Sequence, residues 1–454
     1  MKSRIKVAGA GIVLLATIAA LAGCAPSQPA ATTKATISVV SLIPGSKPEA
    51  FAAFDDQVKQ FEKANPSITV NTQEYEWTGP TFAAQLAGGT LPDVFTIPFT
   101  DGKTLIENGQ LADITSLVKA LPYAAKFNPN VLNAAQDPSG KIFGVPTAAY
   151  GNALHYNRAL FTKAGLDPNK PPTTWAEVRK DAKIISDKTG VAGYMQMSQN
   201  NTGGWQLTTA DASRGGVVEV TKSGKTTVTI DTAPMKKSLE FLKALRWEDN
   251  SMGSNFLFDW GTINQAFGAG QIGMYTSGSD IYTNLVQSQN MNPADYGMTV
   301  IPAEGTGSGV IGGGTIAAVN VKATPAQQAA AVKWIDFYYM KKLTVKSAAV
   351  EDAKTLVANK QGVGVPALPV FDKATLDQSR VWIKDYINVP IDQMKSFADG
   401  IYKQKPIGEP TAKTQEVYAL LDVVVQAVLT DKNADIAALL KQANTDAQAL
   451  VDAG

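Results

Sequence analysis

The first hundred residues of this 454-residue chain alternate between two hydrophobic periods, and this alternation most constrains the fold. Residues 36–42 are β-branched and apolar, which is typical of a buried strand. Residues 49–65 carry apolar side chains at helical spacing, and residues 68–75 return to a strand pattern. Residues 82–86 and 93–98 add a further helix and strand. Strands that alternate with helices predict an α/β layer on a largely parallel sheet.

The alternation recurs further along the chain. Thr174 and Glu177 have the spacing of a capping box, which predicts a helix over residues 175–187. Thr324, followed by proline, predicts the start of another helix. The last third of the chain has mostly helical spacing, and the Gly-rich residues 305–314 indicate an internal joint.

Composition excludes several classes of function. The chain has 41 basic and 40 acidic side chains, so it lacks the basic excess expected of a nucleic-acid binder. It has one cysteine and one histidine, too few for a zinc site of the usual type. We expect His155, in an apolar-aromatic run, to be a satisfied strand residue rather than a catalytic base.

The N-terminus has the organisation of an export signal over residues 1–23. A basic start precedes an apolar stretch, residues 7–21, that is shorter than the roughly 20 residues a membrane-spanning helix needs. Cys24 follows Leu-Ala-Gly, which resembles a bacterial lipobox. That resemblance implies cleavage before Cys24, lipidation of its sulfur and an extracytoplasmic protein anchored to the cell membrane. Residues 24–35 are small and polar, as in a flexible tether.

Several segments, in order along the chain, resemble the family 1 extracellular solute-binding proteins of ABC importers, which mostly carry sugars. The segments that carry this resemblance are residues 83–94 (AAQLAGGTLPDV), 140–146 (GKIFGVP), 156–166 (YNRALFTKAGL), 172–177 (PTTWAE), 267–274 (FGAGQIGM) and 312–335, which begins GGG and ends in AAVKWI. The last hundred residues match only as a helical tail.

The resemblance implies a two-lobed, periplasmic-binding-protein-like α/β fold. Each lobe is a sheet flanked by helices, and several strands form the hinge between the lobes. The implied N-terminal lobe is residues 36–147 plus 315–355. The implied C-terminal lobe is residues 148–314 plus 356–454, with chain crossings near residues 145–150, 310–315 and 356–365.

The resemblance also implies a function. The chain would be the substrate-binding component of an ABC importer, capturing a mono- or oligosaccharide in the interlobe cleft and delivering it to the transmembrane subunits of a permease. It would act as a monomer and contact the membrane only through its lipid. We predict no catalytic residue, no metal and no cofactor.

A sugar presents C–H faces to aromatic platforms and hydroxyls to paired polar groups. We therefore expect ligand contacts from aromatic and polar side chains in loops, and from glycines that let backbone amides approach. The candidate ligand-binding residues are Trp77, Asp101, Tyr150, Asn152, Trp205, Trp260, Ser277, Ser279, Gly312 and Gly313.

The position of each candidate along the chain supports its choice. Trp77 and Asp101 follow predicted strands, at the edge where open α/β sheets bind ligands. Tyr150 and Asn152 lie just beyond the first crossing, and Trp205 ends a turn-rich loop. Core packing stays an alternative for Trp77 and for Trp260, and a helix N-cap stays an alternative for Asp101.

Ser277 and Ser279 flank a glycine after a predicted strand, and a plain turn is the alternative there. Gly312 and Gly313 would serve both as hinge and as amide donors. Trp175, Trp247 and Trp334 have helical spacing with other apolar residues, and we assign them to packing.

Two alternative functions stay open at the level of sequence. A surface-anchored glycoside hydrolase would need two carboxylates about 5–10 Å apart across the scissile bond, and sequence alone does not forbid such a pair. The same fold could also bind a non-sugar solute such as an amino acid, a polyamine or a metal. A metal binder would be expected to have more histidine, and an amino-acid binder a clear arginine for the carboxylate.

Overall fold

The structure is a computed structural model that describes residues 34–222 and 225–453. The predicted signal peptide, residues 1–23, and the predicted lipidation site, Cys24, lie outside the described residues. None of the helices in the described part combines the length and hydrophobicity that crossing a bilayer requires.

The strands follow the alternating pattern at the N-terminus and are then more widely spaced. In chain order they are β1 (Ala35–Val40), β2 (Ile68–Gln73), β3 (Val94–Pro98), β4 (Gly144–Asn157), β5 (Ala192–Tyr194), β6 (Glu219–Lys222), β7 (Lys225–Val228), β8 (Ile272–Gly278), β9 (Tyr296–Val300), β10 (Val310–Val319) and β11 (Pro406–Gly408).

Helices separate the strands and make up most of the C-terminal third. They are α1 (Pro48–Ala64), α2 (Gly79–Gly88), α3 (Phe99–Glu107), α4 (Thr115–Lys119), α5 (Pro129–Leu132), α6 (Arg158–Ala164), α7 (Trp175–Thr189), α8 (Thr202–Ala212), α9 (Ala233–Trp247), α10 (Trp260–Gly268), α11 (Tyr282–Gln287), α12 (Pro325–Ile335), α13 (Lys341–Thr344), α14 (Lys346–Ala358), α15 (Lys373–Ile383), α16 (Lys395–Gly400), α17 (Thr414–Thr430) and α18 (Ile436–Asp452).

The predicted local signals appear in the structure. Thr174 and Glu177 form the complete capping box at the start of α7. Thr324 caps α12, which continues as a π-helical turn over Asp336–Met340. His155 is fully buried on β4, where Nδ1 lies 2.9 Å from the Tyr296 hydroxyl and Nε2 lies 3.2 Å from the Ser277 carbonyl. It is the satisfied strand residue that the sequence predicted.

The main sheet has the order β2-β1-β3-β10-β4-β8-β5, with β9 also on β4 and β11 also on β10. The prediction of a largely parallel sheet is only partly right. Strand β1 pairs in parallel with β2 and β3, and β5 with β8. The pairs β3–β10, β10–β4, β4–β8 and β4–β9 are antiparallel. The reason is that β4 and β10 run between the two halves of the sheet and are not joined by helical crossovers.

Strands β4 and β10 connect the two halves of the molecule. The first half of β4 pairs with β10, and its second half pairs with β8 and β9. Thr315 pairs with Ala148 and Ile316 with Pro146, so Thr147 is an extra residue that bulges β4. Pro146 has no N–H to donate, which makes a bulge the natural place for it in an interior strand.

The buried apolar residues form one large core and two smaller ones. The large core takes its residues from 153–310 and 389–447. The two smaller cores take theirs from 37–145, 316–340 and 370–371. The lobe boundaries stay a prediction. Phe371 packs on Phe127 in one of the smaller cores, with ring centroids 4.7 Å apart, which favours a third chain crossing later than residues 356–365.

Helix α17 packs very closely on the N-terminal turn of α8. A Cβ at Gly203 would lie 2.7 Å from Asp422 Oδ1 on α17, and one at Gly204 would overlap the carbonyl oxygen of Tyr418 on the same helix. The Gly203-Gly204 pair is therefore needed for the approach of the two helices. The side chain of Asp422 accepts hydrogen bonds from the backbone N–H of Asn201 and of Gly204, each 2.7 Å long.

Replacing Gly204 with alanine should destabilise the fold by about 1–3 kcal/mol, because the added methyl group has no space beside Tyr418. Urea unfolding would measure the loss. Gly88→Ala is the matched control, since a Cβ there meets nothing closer than 3.9 Å. A Gly204→Ala variant as stable as the control would contradict the close helix contact.

Candidate functional site

A cleft of about 700 Å³ lies between the large core and the two smaller ones. On one side it is bordered by segments that follow β1 and β2 and by the β3–α3 junction. On the other it is bordered by the starts of α8 and α10, the end of β8 and the start of α17. Strands β4 and β10 supply the residues between the two sides, namely Tyr150, Gly314 and Thr315. Loops at the carboxyl ends of strands are where open α/β sheets bind ligands.

Tryptophans line this cleft from both sides. Trp77 packs against one of the smaller cores, whereas Trp205 and Trp260 pack against the large core. All three indoles are only partly buried, so each keeps surface free for a ligand. Tyr150 stands edge-to-face with Trp205, with ring centroids 6.3 Å apart. By contrast, Trp175 and Trp334 are buried in the cores, as the sequence predicted.

Trp77 is held in place by Asp101. Its indole N–H donates a 3.0 Å hydrogen bond to Asp101 Oδ2. Burial raises the pKa of Asp101 to about 6, although hydrogen bonds from Trp77 and Thr100 lower it. Asp101 lies in the first turn of α3, whose N-cap is Pro98, so the alternative of an N-cap role is wrong. It is outside the set of residues that line the cleft, and it positions Trp77.

The sequence placed Trp205 in a loop, and the structure places it in the first turn of α8. The turn-rich stretch ends just before it, because Asn200 and Asn201 both have positive φ, 56° and 69°. Asparagine tolerates this left-handed conformation better than most residues. Asp422 satisfies the free N–H groups at the helix start, and Trp205 is thereby set at the cleft.

Gln415 links the two sides of the cleft. Its side-chain N–H donates to Thr100 Oγ1 on α3 at 3.0 Å, and its oxygen accepts from the Asn201 amide at 3.1 Å. Because α3 packs with a smaller core and α17 with the large one, this amide spans the cleft. A second link is the 3.3 Å hydrogen bond from Lys47 Nζ to the Val286 carbonyl.

Two carboxylates lie beside the ring of Tyr150. A Cβ at Gly278 would lie 2.6 Å from Asp280 Oδ1 and 3.2 Å from Tyr150 Cδ2. A Cβ at Gly313 would lie 2.6 Å from the Tyr150 hydroxyl and 3.3 Å from Glu409 Oε2. Asp280 is thus near the base of the ring, and Glu409 is near its hydroxyl.

Both carboxyl groups have raised pKa values. Burial raises the pKa of Glu409 to about 8, while a hydrogen bond from the Trp205 side chain lowers it. The surrounding protein also raises the pKa of Asp280 above its ordinary value, and the exposure of its side chain to solvent limits the shift. The negative charge of Glu409 and Asp280 adds to burial in raising the pKa of Tyr150.

The start of α10 contributes Trp260 and a fixed carboxylate. Asp259 caps this helix and forms a reciprocal capping box with Thr262. It also accepts a 2.9 Å hydrogen bond from Asn200. Burial raises the pKa of Asp259, but these hydrogen bonds outweigh it and the pKa is lowered overall. Asp259 is therefore ionised at neutral pH.

Asn152, Ser277 and Ser279 are outside the residues that line the cleft. Each is at most 1 % exposed, and they lie behind the cleft wall. Asn152 donates to Thr209 Oγ1 at 2.7 Å. The prediction of ligand contact rested on their position after a crossing or a strand, which does not determine the direction of a side chain.

Gly312 and Gly313 are also outside the lining set, although the next residue, Gly314, belongs to it. They lie inside β10 and pair with Gly151 and Tyr150 of β4. A side chain at Gly313 would collide with the hydroxyl of Tyr150. The absence of a side chain at Gly313 therefore makes room for the tyrosine ring.

Several residues that line the cleft are not among the contacts predicted from the sequence. Asp280 and Asp259 are neighbours of candidates that it did name, and polar residues at a strand end or helix start were the signal. Glu409, Gln415 and Tyr418 come from the C-terminal third, where only helical spacing was recognised. No local pattern marked these three. The pairing of β11 with β10 brings Glu409 to the cleft, and the packing of α17 on α8 brings Gln415 and Tyr418.

The cleft is acidic. Four carboxylate residues line it, and no lysine, arginine or histidine is among the described residues that do; the four are Glu76, Asp259, Asp280 and Glu409. The described part also contains no group of three or more histidine, cysteine or acidic residues arranged to hold a metal ion.

The stability of the protein should depend on pH through the titration of Glu409. The pKa of Glu409 in the folded state, about 8, is above the ordinary value of 4.5. The contribution of this group to the free energy of unfolding is therefore fully present below about pH 4.5 and is lost as pH rises through about 8. The free energy of unfolding of the Glu409→Gln variant, relative to that of wild type, should therefore rise by on the order of 1–2 kcal/mol when the pH is raised from about 5 to about 9. Urea unfolding at both pH values measures this difference.

Glu351→Gln, on the exposed surface of α14, is the control and should not alter the pH dependence. If Glu409→Gln followed the wild-type pH dependence as well, the environment assigned to Glu409 would be wrong.

Residues 44–343 match the family described as bacterial extracellular solute-binding protein. A curated binding protein of Brucella abortus is 28% identical over 137 residues, which are 29% of this chain and 32% of that relative. This chain thus matches about a third of the length of that relative.

Solved structures match over nearly the whole chain. A solute-binding protein of an ABC transporter from Thermotoga lettingae, bound with α-D-tagatose, has a TM-score of 0.73 at 17% identity, covering 92% of this chain and 100% of that one. A Mycobacterium tuberculosis protein in complex with glycerophosphocholine has a TM-score of 0.72 at 16% identity, covering 92% and 99%. These similarities confirm the predicted two-lobed, periplasmic-binding-protein-like α/β fold.

Proposed function

We propose, given that this chain belongs to the bacterial extracellular solute-binding protein family as its motifs predicted, that it captures a carbohydrate and delivers it to the permease of an ABC importer. The observation that carries the proposal is the placement of indoles on both sides of one cleft. Trp77 faces it from one side, and Trp205 and Trp260 face it from the other. Aromatic faces suit the C–H surfaces of sugar rings.

The polar side chains of the cleft complement these platforms. Carboxylates accept charge-assisted hydrogen bonds from hydroxyls, and the amides and hydroxyls of Asn200, Asn201 and Thr202 can both donate and accept. A ligand that reaches both sides would pair these groups at once. The proposed contacts are therefore Trp77, Tyr150, Trp205, Trp260, Asp280, Glu409 and Gln415, with Asp101 as a positioning residue.

The proposed mechanism is hinged closure without chemistry on the ligand. Strands β4 and β10 carry the chain between the two sides, and the hydrogen bond from Gln415 to Thr100 joins them. A ligand that contacts both sides stabilises the closed arrangement and shifts a pre-existing balance between open and closed states. The permease would recognise the closed shape. Anchoring through Cys24, a monomeric state and the implied lobe boundaries are part of the same proposal.

The glycoside hydrolase alternative has one specific observation in its favour. Asp280 and Glu409 lie on either side of Tyr150, and both pKa values are raised, as a general acid would require. The family of this chain is one of binding proteins, and we therefore propose that the pair binds hydroxyl or amino groups and does not catalyse hydrolysis.

Replacing Trp205 with alanine should reduce the affinity for the bound sugar by at least about tenfold or abolish binding, because one stacking platform is lost. The measurement is thermal shift against a panel of mono- and oligosaccharides, in which a ligand that binds the folded state raises the melting temperature.

Trp247→Ala is the matched control. Trp247 is partly buried outside the cleft, where its N–H donates to the Val428 carbonyl at 2.9 Å. That variant should lose stability and keep the ligand response. If Trp205→Ala kept wild-type affinity, this residue would have to be removed from the proposed contacts.

Incubation with a panel of glycans should leave every substrate intact, because the proposed mechanism breaks no bond. Chromatography of reducing-end-labelled oligosaccharides would detect turnover. Products that disappear in a Glu409→Gln variant would establish the hydrolase alternative in place of transport binding.

A further inference from the structure

The charge of the cleft differs sharply from that of the whole chain. Overall the chain has a net charge of +1, with 41 basic and 40 acidic side chains. Within the described residues that line the cleft, four carry carboxylates and none carries a cation. A site for a phosphorylated or other anionic solute needs basic groups or free backbone N–H donors to balance the ligand. The cleft therefore disfavours an anionic ligand.

Two of these carboxylates lack a compensating charge inside the protein. In the described part of the chain, neither Asp280 nor Glu409 forms an ion pair with a lysine or arginine, and no cation lowers either pKa. A solute bound against the exposed side chain of Asp280 and the partly buried side chain of Glu409 would remove water from both groups. Desolvating carboxylates without a counter-charge is unfavourable, and a bound cation removes that penalty.

The aromatic surfaces favour a cation as well. A cation is attracted to the face of an indole or phenol ring, most strongly to tryptophan. Trp205 and Tyr150 lie together next to Glu409, and Trp77 faces them from the other side. An ammonium group there would meet ring faces and carboxylate oxygens together.

An independent feature of the same place is the hydroxyl of Tyr418. This tyrosine is 2% exposed and lines the cleft, and its hydroxyl has no hydrogen-bond partner among the described residues. Burial raises its pKa, and the negative charge of Glu409 adds to the shift; both Glu409 and Tyr150 line the same cleft. A buried hydroxyl without a partner is unfavourable, and it can accept a hydrogen bond from an N–H of a ligand.

We propose that the solute of this cleft is a carbohydrate that carries a protonated amine, bound beside Tyr150 between Asp280 and Glu409. This inference rests on the proposed function and narrows it to amino sugars and other basic polyols. A neutral sugar would satisfy the same oxygens with hydroxyls and would leave Glu409, whose pKa is about 8, largely protonated at neutral pH, whereas an ammonium group would pair with its ionised form.

The test uses matched pairs that differ in charge, measured on the full chain in detergent by thermal shift and titration calorimetry near pH 6.5. The probes are glucose with glucosamine, galactose with galactosamine, N,N′-diacetylchitobiose with its deacetylated disaccharide, and sorbitol with N-methylglucamine. Glycerol 3-phosphate serves as an anionic probe. We expect the amine to bind at least about tenfold more tightly than its neutral partner in every pair that responds, and this preference should weaken at high salt.

Asp280→Asn should reduce the preference for the amine to near parity, since it removes charge and keeps the shape of the side chain. Glu409→Gln provides a second variant should the first not fold. Asp385→Asn, in the segment after α15 and outside the cleft, should leave the preference unchanged. A preference that survives both cleft variants would overturn the assignment to these carboxylates.

The two proposals fail in different ways. Equal or tighter binding of the neutral member in every responding pair would overturn the amine inference and leave carbohydrate binding intact. Binding of glycerol 3-phosphate alone, or no response to any carbohydrate, would overturn both proposals.

Discussion

Asp422 accepts hydrogen bonds from the backbone N–H groups of Asn201 and Gly204, and the candidate site depends on this contact. It satisfies donors that every helix start leaves free, and it does so from a helix more than 200 residues away in sequence. The same contact turns Trp205 toward the cleft and brings Tyr418 and Gln415 beside it. Because Gly204 has no side chain, α17 can approach closely enough for these groups to share one cleft.

The cleft combines aromatic surface with carboxylates that lack counter-charges. Burial raises the pKa of Glu409, and the surrounding protein raises that of the exposed Asp280, so the ionised form of each is disfavoured before a compensating group binds. Groups of this kind make binding selective, because a solute that does not complement them leaves them desolvated and unpaired. The hydrogen bond from Gln415 to Thr100 joins the two sides of the cleft.

The α/β class of the fold could be predicted from the sequence, but the pairing of the strands in its sheet could be predicted only in part. Hydrophobic periodicity predicted β1, α1, β2, α2 and β3, and capping signals predicted α7 and α12. The antiparallel pairing of β4 with β10 could not be predicted in this way. Strand partners depend on where the chain returns after more than 150 residues, and local periodicity is the same in either orientation.

The sequence by itself determined the α/β class, the family and the satisfied role of His155 on its strand, and it singled out Trp77, Tyr150, Trp205 and Trp260 as candidates among the aromatic residues that line the cleft. These follow from local spacing and from motifs whose chemistry acts within a few residues. Only the tertiary structure decided that Asp101 positions Trp77, that Ser277 and Ser279 are buried outside the lining of the cleft, and that Glu409, Gln415 and Tyr418 belong to that lining. Side-chain direction and charge compensation are set by packing between segments distant in sequence, and no local pattern encodes them.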